Sequence, residues 1–178
     1  MRGQAHTVEA FAAAVLIVGG LIFATQATAV TPLSASTSNQ HIENQQKASV
    51  EGLLAASATD GSLEAAVLDW NATRGTFEGA PESDTYASAP DHEFGDALSG
   101  TLSSRQIAFN VLVRYPDGDG GTDTEPMIRM GEPSDNAVSA TRSIGLYDDD
   151  VPTGFYAPDI DDSKLYTVVE VEVVAWRK

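Results

Sequence analysis

The stretch that decides the fold is AFAAAVLIVGGLIFATQATAV, Ala10 to Val30, preceded by Met1-Arg2-Gly3-Gln4-Ala5-His6-Thr7-Val8-Glu9 and followed by Thr31-Pro32. Its twenty-one residues carry no charge. As a helix, a run of that length reaches across a hydrocarbon core of about 30 Å. Arg2 precedes the run, and the next basic residue is Lys47. The positive-inside bias therefore keeps the N-terminus cytoplasmic and exports everything after Thr31. The expected localisation is the cell membrane, with a single pass and an extracellular C-terminal region.

Three readings of this segment remain open. One is an uncleaved signal anchor. Another is a secretory signal peptide, with Arg2 as its basic region, Ala10 to Ala24 as its apolar region and Ala27-Thr28-Ala29 as its cleavage site. The third starts from Arg2-Gly3-Gln4 ahead of the apolar run, which resembles the class III signal of type IV pilins and archaellins. In that family a prepilin-type peptidase cuts after the small residue that follows a basic one. The resemblance implies cleavage between Gly3 and Gln4, with the apolar segment kept on the mature subunit. It also implies a role in assembly for Glu9, the sixth residue counted from Gln4, pairing with the N-terminal amine of a neighbouring subunit. A carboxylate beside an apolar segment is costly in lipid and points to a partner, although it also suits a helix start.

Beyond the run the periodicity predicts a second helical stretch. Ile42, Val50, Leu53 and Leu54 fall near helical spacings between Ser34 and Ala58, with Ala48, Ala55 and Ala58 between them. Pro32 marks a kink or a restart, and Thr59-Asp60-Gly61-Ser62 ends the stretch with turn chemistry. Gly19-Gly20 would let helices approach closely.

The remainder reads as mostly β. A short helix is expected over Leu63 to Trp70, loop from about Arg74 to Asp91, and another short helix from Glu93 to Leu102. Gln106 to Tyr115 alternates, with Ile107, Phe109, Val111, Val113 and Tyr115 on one face. Pro116-Asp117-Gly118-Asp119-Gly120-Gly121 is a turn, and Glu125 to Met130 returns as the partner strand of a hairpin. Val138 to Leu146 and Leu165 to Trp176 supply two further strands. The last places Leu165, Thr167, Val169, Val171, Val173 and Ala175 inward, and Tyr166, Val168, Glu170, Glu172, Val174 and Trp176 on a partly solvated face. A four-stranded antiparallel sheet packed on the preceding helix buries both apolar faces.

Charge and composition narrow the function. Residues 31–178 hold nine Lys plus Arg against twenty-five Asp plus Glu, which accounts for the whole formal charge of −16. Such acidity repels phosphates and argues against a nucleic-acid partner. Fifteen Asp against three Lys is the surface chemistry of proteins from concentrated salt, where the Debye length is about 3 Å and self-repulsion fades. The absence of cysteine removes disulfides and thiolate chemistry. Asn71-Ala72-Thr73 is the one N-glycosylation sequon.

No catalytic constellation emerges, and the chain reads as a non-enzyme without a cofactor. Glu170 and Glu172 lie about 7 Å apart on one strand face, a spacing two glycosidase carboxylates share, but exposed strand positions account for them. His6, His41 and His92 form no cluster in sequence. Asp117, Asp119 and Asp123 begin like a calcium loop, yet its twelfth position is Ile128. With Asp148-Asp149-Asp150, Asp159, Asp161 and Asp162, these carboxylates read as solvated loops, and no metal site is assigned.

A longer resemblance covers most of the chain. Arg2 to Gln46, Gly131-Glu132-Pro133-Ser134-Asp135-Asn136-Ala137-Val138, and Val168-Val169-Glu170-Val171-Glu172-Val173-Val174 look like pilin-like membrane proteins of halophilic archaea without assigned activity. The expected fold is α+β: a long N-terminal membrane and stalk helix packed on a small antiparallel sheet head, as in pilins. The parts are a leader (1–3), a transmembrane helix (4–30), an extracellular amphipathic helix (31–60) and an acidic head (61–178). The expected function is a structural subunit, pilin-like or pseudopilin-like, of an archaeal extracellular filament or its assembly machinery. Its partners are the membrane, other pilin-like subunits and the prepilin-type peptidase. The alternative is a single-pass surface or binding protein that forms no filament.

Overall fold

The computed structural model describes residues 13–18, 21, 40–77, 89–160 and 163–177. The chain divides into two units, Met1–Ile42 and Glu43–Lys178. In the first, residues 13–18, 21 and 40–42 are helical. Leu16 is 77% exposed, and Val15, Ile17, Val18 and Leu21 are each more than half exposed. Gly3, Gln4, His6, Glu9 and Pro32 lie outside the described residues, as does most of the apolar run.

The expected long N-terminal helix requires correction. Among the described residues, no helix is long and apolar enough to cross a membrane. The physical reason lies in the residues after the run. Helical positions 40–60 present Gln40, His41, Asn44, Gln45, Lys47 and Glu51 to solvent, the pattern of an amphipathic surface helix and too polar to cross a membrane. Its buried stripe is Gln46, Val50, Leu53, Leu54 and Ser57. Ile42, expected on that stripe, is exposed.

The second unit begins with the helical residues 43–60 (α1). Gly61, at φ 86°, turns the chain into α2 (Ser62–Asp69). Asp60 Oδ1 accepts the Ser62 N–H at 2.9 Å, occupying one of the free donors of the helix start. Helix α2 buries Leu63, Ala66 and Val67. A two-residue ladder follows, β1 (Trp70–Asn71) against β2 (Thr76–Phe77).

Helix α3 (Glu93–Thr101) starts at His92, whose Nδ1 accepts the Gly95 N–H at 3.3 Å. Glu93 and Asp96 in its first turn complement the helix dipole. A Cβ at Gly95 would overlap the Pro90 carbonyl, so that glycine is demanded by close approach. A 3₁₀ turn (Ser103–Arg105) and Gln106 in the left-handed region then lead into the sheet.

The sheet comprises β3 (Ile107–Pro116), β4 (Thr122–Arg129), β5 (Val138–Tyr147) and β6 (Leu165–Arg177). All pairings are antiparallel, in the order β4-β3-β6-β5. The β3–β4 hairpin is the one its turn chemistry predicts. Asp117 Oδ1 accepts the N–H groups of Asp119 and Gly121, each at 2.8 Å, and Gly118 and Gly120 adopt positive φ. Those two N–H groups hold the Asp117 carboxyl below its ordinary range. Pro126 is accommodated because β4 is an edge strand.

The inner face carries Phe109, Val111, Val113, Val169, Val171, Val173 and Ala175. These form one buried cluster with Val50, Leu53 and Leu54 of α1, Leu63 and Val67 of α2, and Phe94 and Leu98 of α3. The alternation expected for β6 holds along this face, where Thr167, Val169, Val171, Val173 and Ala175 are all buried.

The outer face is divided. At its open part, Arg114 Nη1 donates to Glu170 Oε1 at 3.1 Å, and its Nη2 donates to Glu172 Oε2. At the other end, the link between β4 and β5 must pass from one edge of the sheet to the opposite one. Asn110 holds that link. Its Nδ2 donates to the Gly131 carbonyl and its Oδ1 accepts the Met130 N–H, both at 2.9 Å. Beside it Trp176, expected on the partly solvated face, is buried near Gly131.

Candidate functional site

A concavity with a chemically distinctive rim lies where the β1–β2 turn meets the loop before β6. It encloses about 590 Å³ and is lined by Leu68 to Arg74 on one side and by Pro152, Thr153, Gly154 and Tyr156 on the other. Two different causes set its walls. The turn is held by Asn71, whose carbonyl accepts from Arg74 N at 3.2 Å and Gly75 N at 2.9 Å. Its side-chain Oδ1 also accepts the Arg74 N–H at 3.0 Å. Gly75, at φ 62°, lets the turn close.

Aromatic packing builds the opposite wall. Tyr156 packs against Phe155 with ring centroids 4.2 Å apart and planes tilted by 39°, and meets Tyr115 edge-on at 5.2 Å. Tyr166 donates its hydroxyl to the Ala157 carbonyl at 3.1 Å and pins the segment to β6. The Tyr156 hydroxyl is buried and has no hydrogen-bond partner among the described residues. Burial first, and then the Glu125 charge and Tyr115, push its ionisation well above the ordinary tyrosine range. The same causes, with Asp123 and Glu125 as the charges, raise Tyr115. Trp70 closes the floor, its Nε1 donating to Glu125 Oε1 at 3.0 Å.

Asn71 is the sequence-predicted site residue that the structure places on this cleft. Asn71 and Thr73 are exposed, while Ala72 packs against the core. The turn thus presents the two functional positions of the sequon outward. Gly3, Gln4 and Glu9 lie outside the described residues.

The other acidic candidates stay apart. Glu170 and Glu172 share Arg114 across the strands, so both carboxylates serve a structural ion pair. Asp117 is occupied by its own turn. Among the described residues, no three His, Asp or Glu side chains are grouped to hold a metal ion; Asp161 and Asp162 lie outside them.

Two features escaped the sequence reading. Phe155 and Tyr156 stand in the sequence as aromatic residues between acidic stretches, and nothing local shows that they form a wall. His92 reads as a lone histidine, yet it caps α3 and sits edge-on to Phe77 at 4.9 Å. Its Nε2 is buried without a partner among the described residues. Burial lowers its pKa below the ordinary value near 6.5, against the opposing charges of Asp69, Asp96 and Asp91. A smaller concavity of about 270 Å³ opens beside it, lined by Ser62, Ala65, Ala66, Asp69 and Glu93.

No curated protein and no solved structure matches the chain. The profile of a family of unknown function, DUF7288, matches residues 2–175. With nearly its whole length inside that match, the chain belongs to the DUF7288 family.

Proposed function

We propose that this chain is a membrane-tethered structural subunit of the pilin-like or pseudopilin-like kind, acting in an extracellular filament of a salt-adapted archaeon or in its assembly machinery. The observation that carries this reading is the uncharged run from Ala10 to Val30 behind Arg2-Gly3. Its described part agrees in chemistry: Val15 to Val18 and Leu21 are helical and present bare apolar side chains. Exposed apolar groups on that scale call for a lipid or protein surface around them. The head supplies an acidic, cysteine-free surface suited to an exported domain in concentrated salt.

The test is the mature N-terminus together with assembly. Intact mass should show a chain starting at Gln4, and Gly3→Val should abolish that trimming while membrane insertion persists. Glu9→Gln should then lower co-purification of tagged and untagged copies, because a buried amine would lose its charge partner. A start at Val30 would overturn the proposal in favour of a secreted protein. An untrimmed chain whose copies never co-purify would favour a solitary surface anchor.

A further inference from the structure

We infer that Asn71 carries an N-linked glycan whose first sugar lies in the cleft beside it. The inference rests on the exported placement of the head, since glycosyl transfer to a sequon happens on exported chains.

Four observations support it. Asn71 and Thr73 are exposed on one short turn, with Ala72 turned inward as their anchor. The Asn71 amide is already oriented, because its Oδ1 accepts the Arg74 N–H at 3.0 Å. That leaves Nδ2 as the end of the amide directed to chemistry. The supporting ladder is two residue pairs long and is anchored by buried Trp70 and Phe77, so the exposed turn beyond it is held outward within reach of a transferase. The cleft of about 590 Å³ begins at Asn71 itself. It mixes polar Asp69 and Thr153 with the rings of Trp70, Tyr156 and Pro152, a pattern that suits a sugar with one apolar and one hydroxylated face.

The step balances with a sugar activated on a phosphate leaving group as co-reactant. Asn71 Nδ2 forms a bond to the anomeric carbon as the carbon–oxygen bond to phosphate breaks. The phosphate departs with that electron pair, and Nδ2 loses one proton. Oδ1 is not consumed, so the bond from Arg74 N–H survives and continues to aim the linkage. A glycan attached there adds bulk and hydroxyl groups to the surface beside the cleft.

The experiment uses the full chain recovered from its own cells, as wild type, Asn71→Gln, Thr73→Ala and Thr73→Ser. Peptide mass should show a saccharide increment on the Asn71 peptide of the wild type and of Thr73→Ser. The whole increment should be lost in Asn71→Gln and Thr73→Ala. Thr73 is exposed, so its variants should fold as the wild type does. Amide exchange over residues 153–156 should be slower in the glycosylated chain than in Thr73→Ala.

Protease added to intact cells separates the possible failures. A head that is cleaved from outside yet unmodified at Asn71 overturns the glycan and leaves the exported placement standing. A head shielded inside the cell overturns both. An increment without slower exchange overturns the seating of the sugar in the cleft.

Discussion

The two faces of the four-stranded sheet are made by the same strands and follow different rules. The inner face is a continuous apolar layer: Phe109, Val111, Val113, Val169, Val171 and Val173 are all fully buried against the helices. The outer face is held by particular polar contacts, one open to solvent and one covered. The Arg114 contact with Glu170 and Glu172 remains part-exposed. The Asn110 contacts lie where residues 130–131 close over the sheet. One strand can therefore contribute hydrophobic energy on one side and directional specificity on the other, because successive side chains alternate.

The largest effect is expected on the inner face. Phe109→Ala removes a fully buried ring and leaves a cavity, which should cost about 3–5 kcal/mol in denaturant unfolding of the second unit. A loss under about 1 kcal/mol would mean that this face is not the main source of stability.

Asn110→Ala comes next and probes the covered end of the outer face. The Met130 N–H and the Gly131 carbonyl would both lose their partner, so a cost of about 1–3 kcal/mol is expected. Amide exchange around residues 130–131 should rise with it, as should the fluorescence exposure of Trp176. An unchanged Trp176 signal would show that the link is held by packing alone.

His92 extends the comparison to the helical layer beneath the inner face. Its folded pKa lies below the ordinary value near 6.5, chiefly through burial. On acidification the unfolded chain therefore takes up this proton first. The stability contributed by neutral His92 is complete above about pH 6.5 and falls as pH drops toward the folded pKa. His92→Asn keeps a capping side chain and removes the titration. Melting temperature measured from pH 7 to pH 5 should fall less steeply in this variant than in the wild type. Parallel curves would remove His92 as a source of acid sensitivity.

The smallest effect is expected at the open part of the outer face. Glu172→Gln keeps an acceptor for Arg114 and removes one charge of a part-exposed pair, so the change should stay below about 1 kcal/mol. The difference should shrink further as salt is raised. A cost equal to that of Asn110→Ala would erase the distinction between the two parts of this face.

Much of the second unit was legible because its signals are local. Helices α2 and α3 lie within a residue or so of their expected ranges. The β3–β4 hairpin follows from its aspartate and glycine turn, and the inward set of β6 follows from strict alternation. The candidate site was half legible. The Asn71 sequon is visible as three letters, but the wall of Pro152 to Tyr156 opposite it is some eighty positions away. Nothing in either segment signals the other.

By itself the sequence determined the acidic, cysteine-free character of the chain, its uncharged run, and the alternating strands with their turns. Charge, hydropathy and φ preferences act over a few residues and can be read where they stand. Tertiary structure alone decided the strand order β4-β3-β6-β5 and the burial of Trp176 beneath the link that Asn110 holds. It also put Gln46 where Ile42 was expected in the buried stripe, and it set the cleft beside Asn71. The physical reason is common to these cases. Each depends on which distant segment covers a given surface, and that is settled by the joint packing of β-strands and helices far apart in the chain.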